Sequence, residues 1–282
     1  MTIKLIAVDM DGTFLDENGK YDRDRFLRLL ERLDREGIRF VVASGNNMSR
    51  LGIMFEGLLD RIDFVADNGA SLILRGQHQF TRSMSFEQVQ DFLEFYGEET
   101  LAANRTIVSS TEHSFMLKSS DLGQMPAMMD AKEAQAFWSH IQYLDTFQQL
   151  PQDENYYEMV MLVEPENGRA VMEDFNSKFK GAITAMASGF GAVDFVQTGI
   201  HKAWGLQEML KLTGITAEQV MAFGDGGNDI ELLDLAGQSY AMENAEDFVK
   251  AHAKNIAPDH RQAGVFQVVE TYLDSLERDN DD

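Results

Sequence analysis

The chain of 282 residues carries 24 Lys plus Arg against 47 Asp plus Glu, a formal net charge of −23. So acidic a balance repels nucleic-acid backbones and anionic lipid surfaces, which excludes partners held by basic patches. Cysteine is absent, removing disulfides, thiolate zinc sites and cysteine nucleophiles together, while the length suggests two domains at ~150 residues each or one large one, and 44% hydrophobic residues suffice to bury a core.

The first apolar run, residues 4–8, reads as a strand buried on both faces. It meets Asp9 and Asp11 before a signal-peptide core is complete, and no apolar run approaches the ~18 residues of a membrane span, so a soluble cytoplasmic protein is expected. Phe26, Leu29, Leu30 and Leu33 recur at helical spacing before Gly37, predicting a helix over 22–36. Strand 40–43 closes on Ser44-Gly45. A helix follows with Met48, Leu51, Phe55 and Leu58 on one side, then a short strand over 64–66. Strand and helix alternate, which predicts a parallel sheet with right-handed crossovers.

The pattern changes over residues 84–189. A helix over 86–96 leads to paired strands at 106–110 and 115–118, a Met-rich helical region over 125–141, a strand at 158–163, a helix at 169–179 and strands at 182–187 and 193–196. Strands with short connections beside helices fit an α+β insert. Alternation then returns with a helix at 202–212, strand 220–223, helix 230–236, strand 240–242, helix 247–253, strand 255–257 and a terminal helix over 264–276. The acidic end, 279–282, reads as a solvated tail. The expected architecture is a Rossmann-like α/β core of residues 1–83 and 190–282, interrupted by an α+β domain of residues 84–189.

Three core strands end alike. Val8 runs into Asp9-Met10-Asp11-Gly12-Thr13, Ala43 into Ser44-Gly45-Asn46, and Phe223 into Gly224-Asp225-Gly226-Gly227-Asn228-Asp229. Ligands of open parallel sheets bind beyond the carboxyl ends of the strands, so Asp9, Ser44 and Asp225 are expected to converge. Four carboxylates gathered there (Asp9, Asp11, Asp225, Asp229) repel one another by about 4 kcal/mol per pair at ~4 Å and an effective dielectric near 20. A cation must sit among them, and oxygen-only ligation points to a hard one, Mg2+. Lys202, opening the first helix after the insert, is the candidate second positive charge. A metal and a lysine facing carboxylates equip a site for phosphoryl transfer. An EF-hand reading fails, because Gly12 falls at position 4 of the loop rather than 6. His201 reads as solvent-facing or structural, and Met125, Met128 and Met129 as packing.

The Asp9–Thr13 and Gly224–Asp229 segments resemble the first and fourth motifs of the haloacid dehalogenase-like phosphatases, with Ser44 and Lys202 matching the second and third in order and context. The large insert is similar to the cap of the Cof-type subgroup, as is Asp67-Asn68-Gly69-Ala70. The segments 41–46, 188–191 and 199–203 look like those of bacterial sugar phosphatases within it.

This resemblance implies a Mg2+-dependent phosphatase of small phosphorylated metabolites, sugar phosphates in particular. Asp9 would be the nucleophile and Asp11 the general acid and base. The metal would be held by Asp9, the Asp11 carbonyl and Asp225, with Asp229 nearby. Ser44 and Lys202 would hold phosphate oxygens, with Asn228 and the backbone N–H groups of Met10 and Gly45 as further contacts. Arginine usually stands in the wider pattern where this chain has Asn46, which is instead a candidate for bonding sugar hydroxyls. Glu112, His113 and Ser114, at a predicted hairpin tip, are candidate substrate contacts. The expected partner is a small phosphate ester, with no nucleic acid or membrane, and the chain a monomer or small homo-oligomer. The alternatives are a phosphotransferase or phosphomutase using the same intermediate and a non-catalytic metabolite-binding protein, the latter at odds with Asp9, Asp11 and Lys202 all being present.

Overall fold

A computed structural model describes residues 2–110, 113–120, 141–189 and 191–281. One sheet of eight strands has the order β14-β13-β12-β1-β2-β3-β4-β5. Its centre is β1 (Leu5–Val8), flanked by β12 (Val220–Gly224) and β2 (Arg39–Ala43), with β3 (Asp63–Ala66), β13 (Gln238–Met242) and β14 (Asn255–Ala257) outward of these, all parallel. A hairpin of β4 (Ser71–Leu74) and β5 (Gln77–Thr81) adds two antiparallel strands.

The near-continuous apolar runs of the central strands follow from burial on both faces. Ile6, Val8, Phe40, Val42, Met221 and Phe223 pack into one layer with helix α1 (Arg23–Glu36) and the C-terminal helix, while Leu5, Ala7, Val41, Ala43, Val220 and Ala222 fill the opposite layer. Alternate side chains therefore serve opposite cores. In α1, Asp22 caps the start by accepting from the Arg25 N–H at 2.9 Å and Gly37 ends it in a left-handed conformation (φ 63°). Its buried face of Phe26, Leu29, Leu30 and Leu33 contributes about 1.5–3 kcal/mol per side chain.

A second sheet has the order β10-β11-β9-β6-β7-β8. It comprises β6 (Ile107–Ser110), β7 (Ser114–Leu117), β8 (Ile141–Leu144), β9 (Tyr156–Leu162), β10 (Ile183–Gly189) and β11 (Ala192–Gln197). Helices α3 (Phe86–Tyr96), α4 (Glu98–Ala103) and α5 (Gly168–Lys178) accompany it; α2 (Met48–Met54) belongs to the first unit. One face of the sheet packs an aromatic core around Phe92, Phe115, Phe175 and Phe195.

Two expectations are corrected. β11 pairs with β9 and β10, so the boundary expected at 189/190 cuts through a hairpin, and the return to the first unit follows Gln197. Residue 141, expected to end a helix, opens β8, which pairs in parallel with β7. The rest of that Met-rich segment, 121–140, including Met125, Met128 and Met129, lies outside the described residues. The β4–β5 hairpin was not foreseen; its turn places Arg75 (φ 48°) and Gly76 (φ 75°) in left-handed conformations. Among the described residues no helix is long and apolar enough to cross a membrane.

Candidate active site

Asp9 follows β1 directly, and its N–H donates to the Phe223 carbonyl at 3.1 Å, tying the ends of β1 and β12 together. The chain then turns tightly through Met10–Phe14, with Gly12 at φ 82°. Glycine is required there: a Cβ would lie 2.8 Å from the Asp225 Cγ and closer still to its Oδ2. The Thr13 hydroxyl donates to Asp225 Oδ1 at 2.7 Å. Met10 buries its side chain in the core.

Beyond β12, Asp229 Oδ2 accepts the N–H groups of Asp225 at 3.0 Å and Gly226 at 2.9 Å, closing the loop on itself. Its Oδ1 accepts from Lys202 Nζ at 2.6 Å, and the same ammonium donates to Asp9 Oδ1 at 2.6 Å. Lys202 is 1% exposed at the first position of α6 (Lys202–Thr213), where a cation opposes the helix dipole. Two carboxylates outweigh that cost. Burial works against the ammonium's charge, but Asp229 and Asp9 raise its pKa above the ordinary lysine value. His201 is structural, its ring accepting the Trp204 N–H at 3.3 Å as the helix cap.

Asp9, Asp225 and Asp229 present carboxylate oxygens within 4.8 Å of one another. Burial, reinforced by Asp229 and Asp225, pushes the Asp9 carboxyl well up despite Lys202. Asp225 is raised to about 7 by burial and by Asp229, with Thr13 and Lys202 pulling the other way. One lysine thus leaves the cluster short of positive charge, and an all-oxygen donor set fits a hard divalent cation. Both Asp229 oxygens accept from Lys202 and the loop N–H groups, while Asp225 accepts from Thr13 through Oδ1 and from Asn244 through Oδ2 at 3.4 Å, and Asp9 accepts from Lys202 through Oδ1.

Ser44, after β2, is 1% exposed, and its Oγ accepts from the Asn46 N–H at 3.1 Å and the Asn46 Nδ2 at 2.9 Å. The same Nδ2 donates to Asp11 Oδ2 at 2.7 Å, and Asn46 Oδ1 accepts from Arg50. The Asn46 amide, expected to face sugar hydroxyls, bonds Ser44, Asp11 and Arg50 in this structure. Asn228 donates to Asn68 Oδ1 at 3.0 Å. Asp9, Lys202, Asp229 and the Asp225 loop thus form one hydrogen-bonded chain, Asp11 and Ser44 are joined through Asn46, and Asn228 bonds Asn68.

Several residues at the site went unread in the sequence. Arg50 forks onto Asp11 at 3.0 and 3.1 Å. Asn68, fully buried with φ 50°, donates to two carboxylates of the second sheet, Glu158 Oε1 at 3.0 Å and Asp194 Oδ2 at 2.6 Å. Asp194 also accepts from Ser188, and its Oδ2 lies 3.3 Å from where a Gly45 Cβ would stand. Burial, with Asp194 and Asp67 nearby, pushes the Glu158 carboxyl well up. Of the hairpin-tip candidates, Glu112 lies outside the described residues and the His113 ring pairs with Glu154 at 3.0 Å. The Ser114 hydroxyl stands 3.3 Å from that of Ser109, whose strand partner is Glu158.

Carboxylates at the ends of parallel strands, with a buried lysine between them, define an enzyme that handles phosphoryl groups. The family model described as haloacid dehalogenase-like hydrolase matches residues 6–269, and the chain belongs to that family. Its enzyme class is that of a phosphoric monoester hydrolase. It is 35% identical over 273 residues to a 5-amino-6-(5-phospho-D-ribitylamino)uracil phosphatase of Escherichia coli (strain K12), covering 97% of each chain. A solved structure from Streptococcus mutans UA159 superposes with a TM-score of 0.84 at 35% identity, over 96% of this chain and 99% of the other. A haloacid dehalogenase subclass IIB sugar phosphatase shares the fold at a TM-score of 0.74 and 20% identity, over 95% of this chain and 98% of that one.

Proposed function

We propose that the protein is a Mg2+-dependent phosphatase of sugar or polyol phosphates that works through an aspartyl-phosphate on Asp9. The eight-stranded unit serves as the catalytic core and the six-stranded unit as a cap selecting the leaving group. The observation that carries this reading is the ion-pair chain Asp9–Lys202–Asp229, with Asp225 beside it and Ser44 at the neighbouring strand end.

The Asp9 carboxylate attacks phosphorus while Lys202 and the Ser44 hydroxyl hold phosphoryl oxygens. Asp11 protonates the departing alkoxide, then takes a proton from the water that cleaves the aspartyl-phosphate. Asp9, Asp225 and the Asp11 carbonyl would hold the metal, and Asp229 orients Lys202 and the Asp225 loop. A bound magnesium ion would neutralise these carboxylates and draw charge from the phosphoryl oxygens. Asp194 supports a hydroxyl-bearing leaving group, because its carboxyl lies beside the Gly45 loop as a hydrogen-bond acceptor. The Escherichia coli relative, whose named substrate carries its phosphate on a ribityl group, is consistent with this.

Phosphate release from a panel of sugar, polyol and carboxylate-bearing phosphomonoesters, with MgCl2 or with EDTA, tests the proposal. Activity should require the metal, favour sugars and polyols, and vanish in Asp9→Asn. Metal-independent activity, or turnover by Asp9→Asn, would overturn the mechanism; preference for carboxylate-bearing esters would overturn the substrate class.

A further inference from the structure

We propose that Arg50 is the positioning residue for Asp11, the side chain that moves the proton; the inference rests on the phosphatase reading. Arg50 lies in the first turn of α2, where its N–H donates to Asn47 Oδ1 at 3.1 Å. Its guanidinium, 9% exposed, reaches back across the mouth of the site. Nη2 meets Asp11 Oδ1 at 3.0 Å and Nη1 meets Oδ2 at 3.1 Å, a two-pronged contact that fixes both the position and the plane of the carboxyl group. Nη1 also bonds Asn46 Oδ1, and the Asn46 amide joins Asp11 Oδ2 to Ser44 Oγ. Asp11 is thereby tied, through Arg50 and Asn46, to the hydroxyl offered to the phosphate.

The chemistry needs such a tie. In the first step the Asp9 oxygen bonds to phosphorus and the ester P–O bond breaks. The electron pair stays on the leaving oxygen, which takes the proton carried by Asp11. In the second step water adds to phosphorus and gives its proton to the Asp11 carboxylate. The P–O bond to Asp9 breaks, and its pair returns to the Asp9 carboxylate. Asp11 must meet two different oxygens at nearly one point. Its side chain is 24% exposed on a turn, with no packing comparable to that around Asp9. Holding it falls to the fork from α2, which a lysine at position 50 would reproduce in charge but not in geometry.

The test compares kcat/KM, which reports the first chemical step, on ribitol 5-phosphate and on 4-nitrophenyl phosphate. The alcohol of the former needs a proton as it leaves; the nitrophenolate of the latter scarcely does. Arg50→Ala should lose roughly 10–100-fold on the polyol ester and under about threefold on the aryl ester. Arg50→Lys should fall between Arg50→Ala and wild type on the polyol ester. In an Asp11→Asn background, Arg50→Ala should cost nothing further, because the group it positions is already gone. Equal losses on the two esters, or the same loss in both backgrounds, would overturn the assignment. Should Arg50→Ala not fold, the contrast between the two esters is read on Arg50→Lys by the same criterion. A wild type inactive on every phosphomonoester would overturn the phosphatase reading itself, and this inference with it.

Discussion

Gly12→Ala is the sharpest probe of the cluster, because a single methyl group aims at Asp225. At φ 82° an alanine pays for the left-handed backbone, about 1–2 kcal/mol, which at this chain length lowers Tm by roughly 2–8 °C. The greater effect is local. A Cβ 2.8 Å from the Asp225 Cγ must drive that carboxylate away by about 1 Å to reach ordinary contact, and a misplacement of ~1 Å can cost about 100-fold in rate. Asp225 would also let go of the Thr13 hydroxyl, now 2.7 Å away. Calorimetric titration of the free protein with MgCl2 should therefore show affinity weakened about tenfold or more, equivalent to about 1.4 kcal/mol. Phosphate release should fall further than the change in Tm accounts for. A Gly12→Ala protein that binds the metal as wild type does would refute the reasoning, for Asp225 would then have no part in holding it.

Lys202→Met strands two buried carboxylates, and breaking such a pair costs about 3–5 kcal/mol. Urea unfolding in EDTA should register that loss, and a change below about 1 kcal/mol would mean that Asp9 and Asp229 are not held by the ammonium. Asp67→Asn tests a pH effect. Burial holds the Asp67 carboxyl at about 8, so the folded chain keeps a proton that the unfolded chain releases near ~4. Its stabilising contribution is complete below the unfolded value and is lost as pH rises through the folded one. Unfolding free energies of the variant and wild type should thus diverge between about pH 5 and pH 8, with the variant more stable at the upper end. Parallel curves would dismiss the effect.

The acidic cluster around Lys202 was legible because its residues sit where a strand stops. An apolar run on Leu5–Val8 that breaks at Asp9, and another that breaks at Asp225, locate both carboxylates at one end of one sheet, whatever the intervening residues do. Arg50 was not legible for the opposite reason. A lone arginine early in a helix looks like a solvated residue, and only the loop geometry of Ser44–Asn47 turns it inward. Glu158 and Asp194 left a faint signal, one acid within each of two largely apolar strands, Tyr156–Leu162 and Ala192–Gln197. Their meeting with Asn68 depends on how the two sheets dock, which strand periodicity does not encode. The β11 boundary was missed likewise, because the sequence carries no mark of which sheet a short apolar strand will join.

The neighbour that completes β1 on one side, β12, is synthesised about 215 residues later. At ~5–20 residues per second the ribosome needs roughly 10–40 s to bridge that gap. Until then the apolar strand Leu5–Val8 presents an open edge, and Asp9 has neither Lys202 nor Asp225 and Asp229 beside it. The carboxylate–lysine cluster is therefore completed all at once and late, when the C-terminal third slots in. In a translating cell, that unfinished edge is where a chaperone or a second nascent chain would first find purchase.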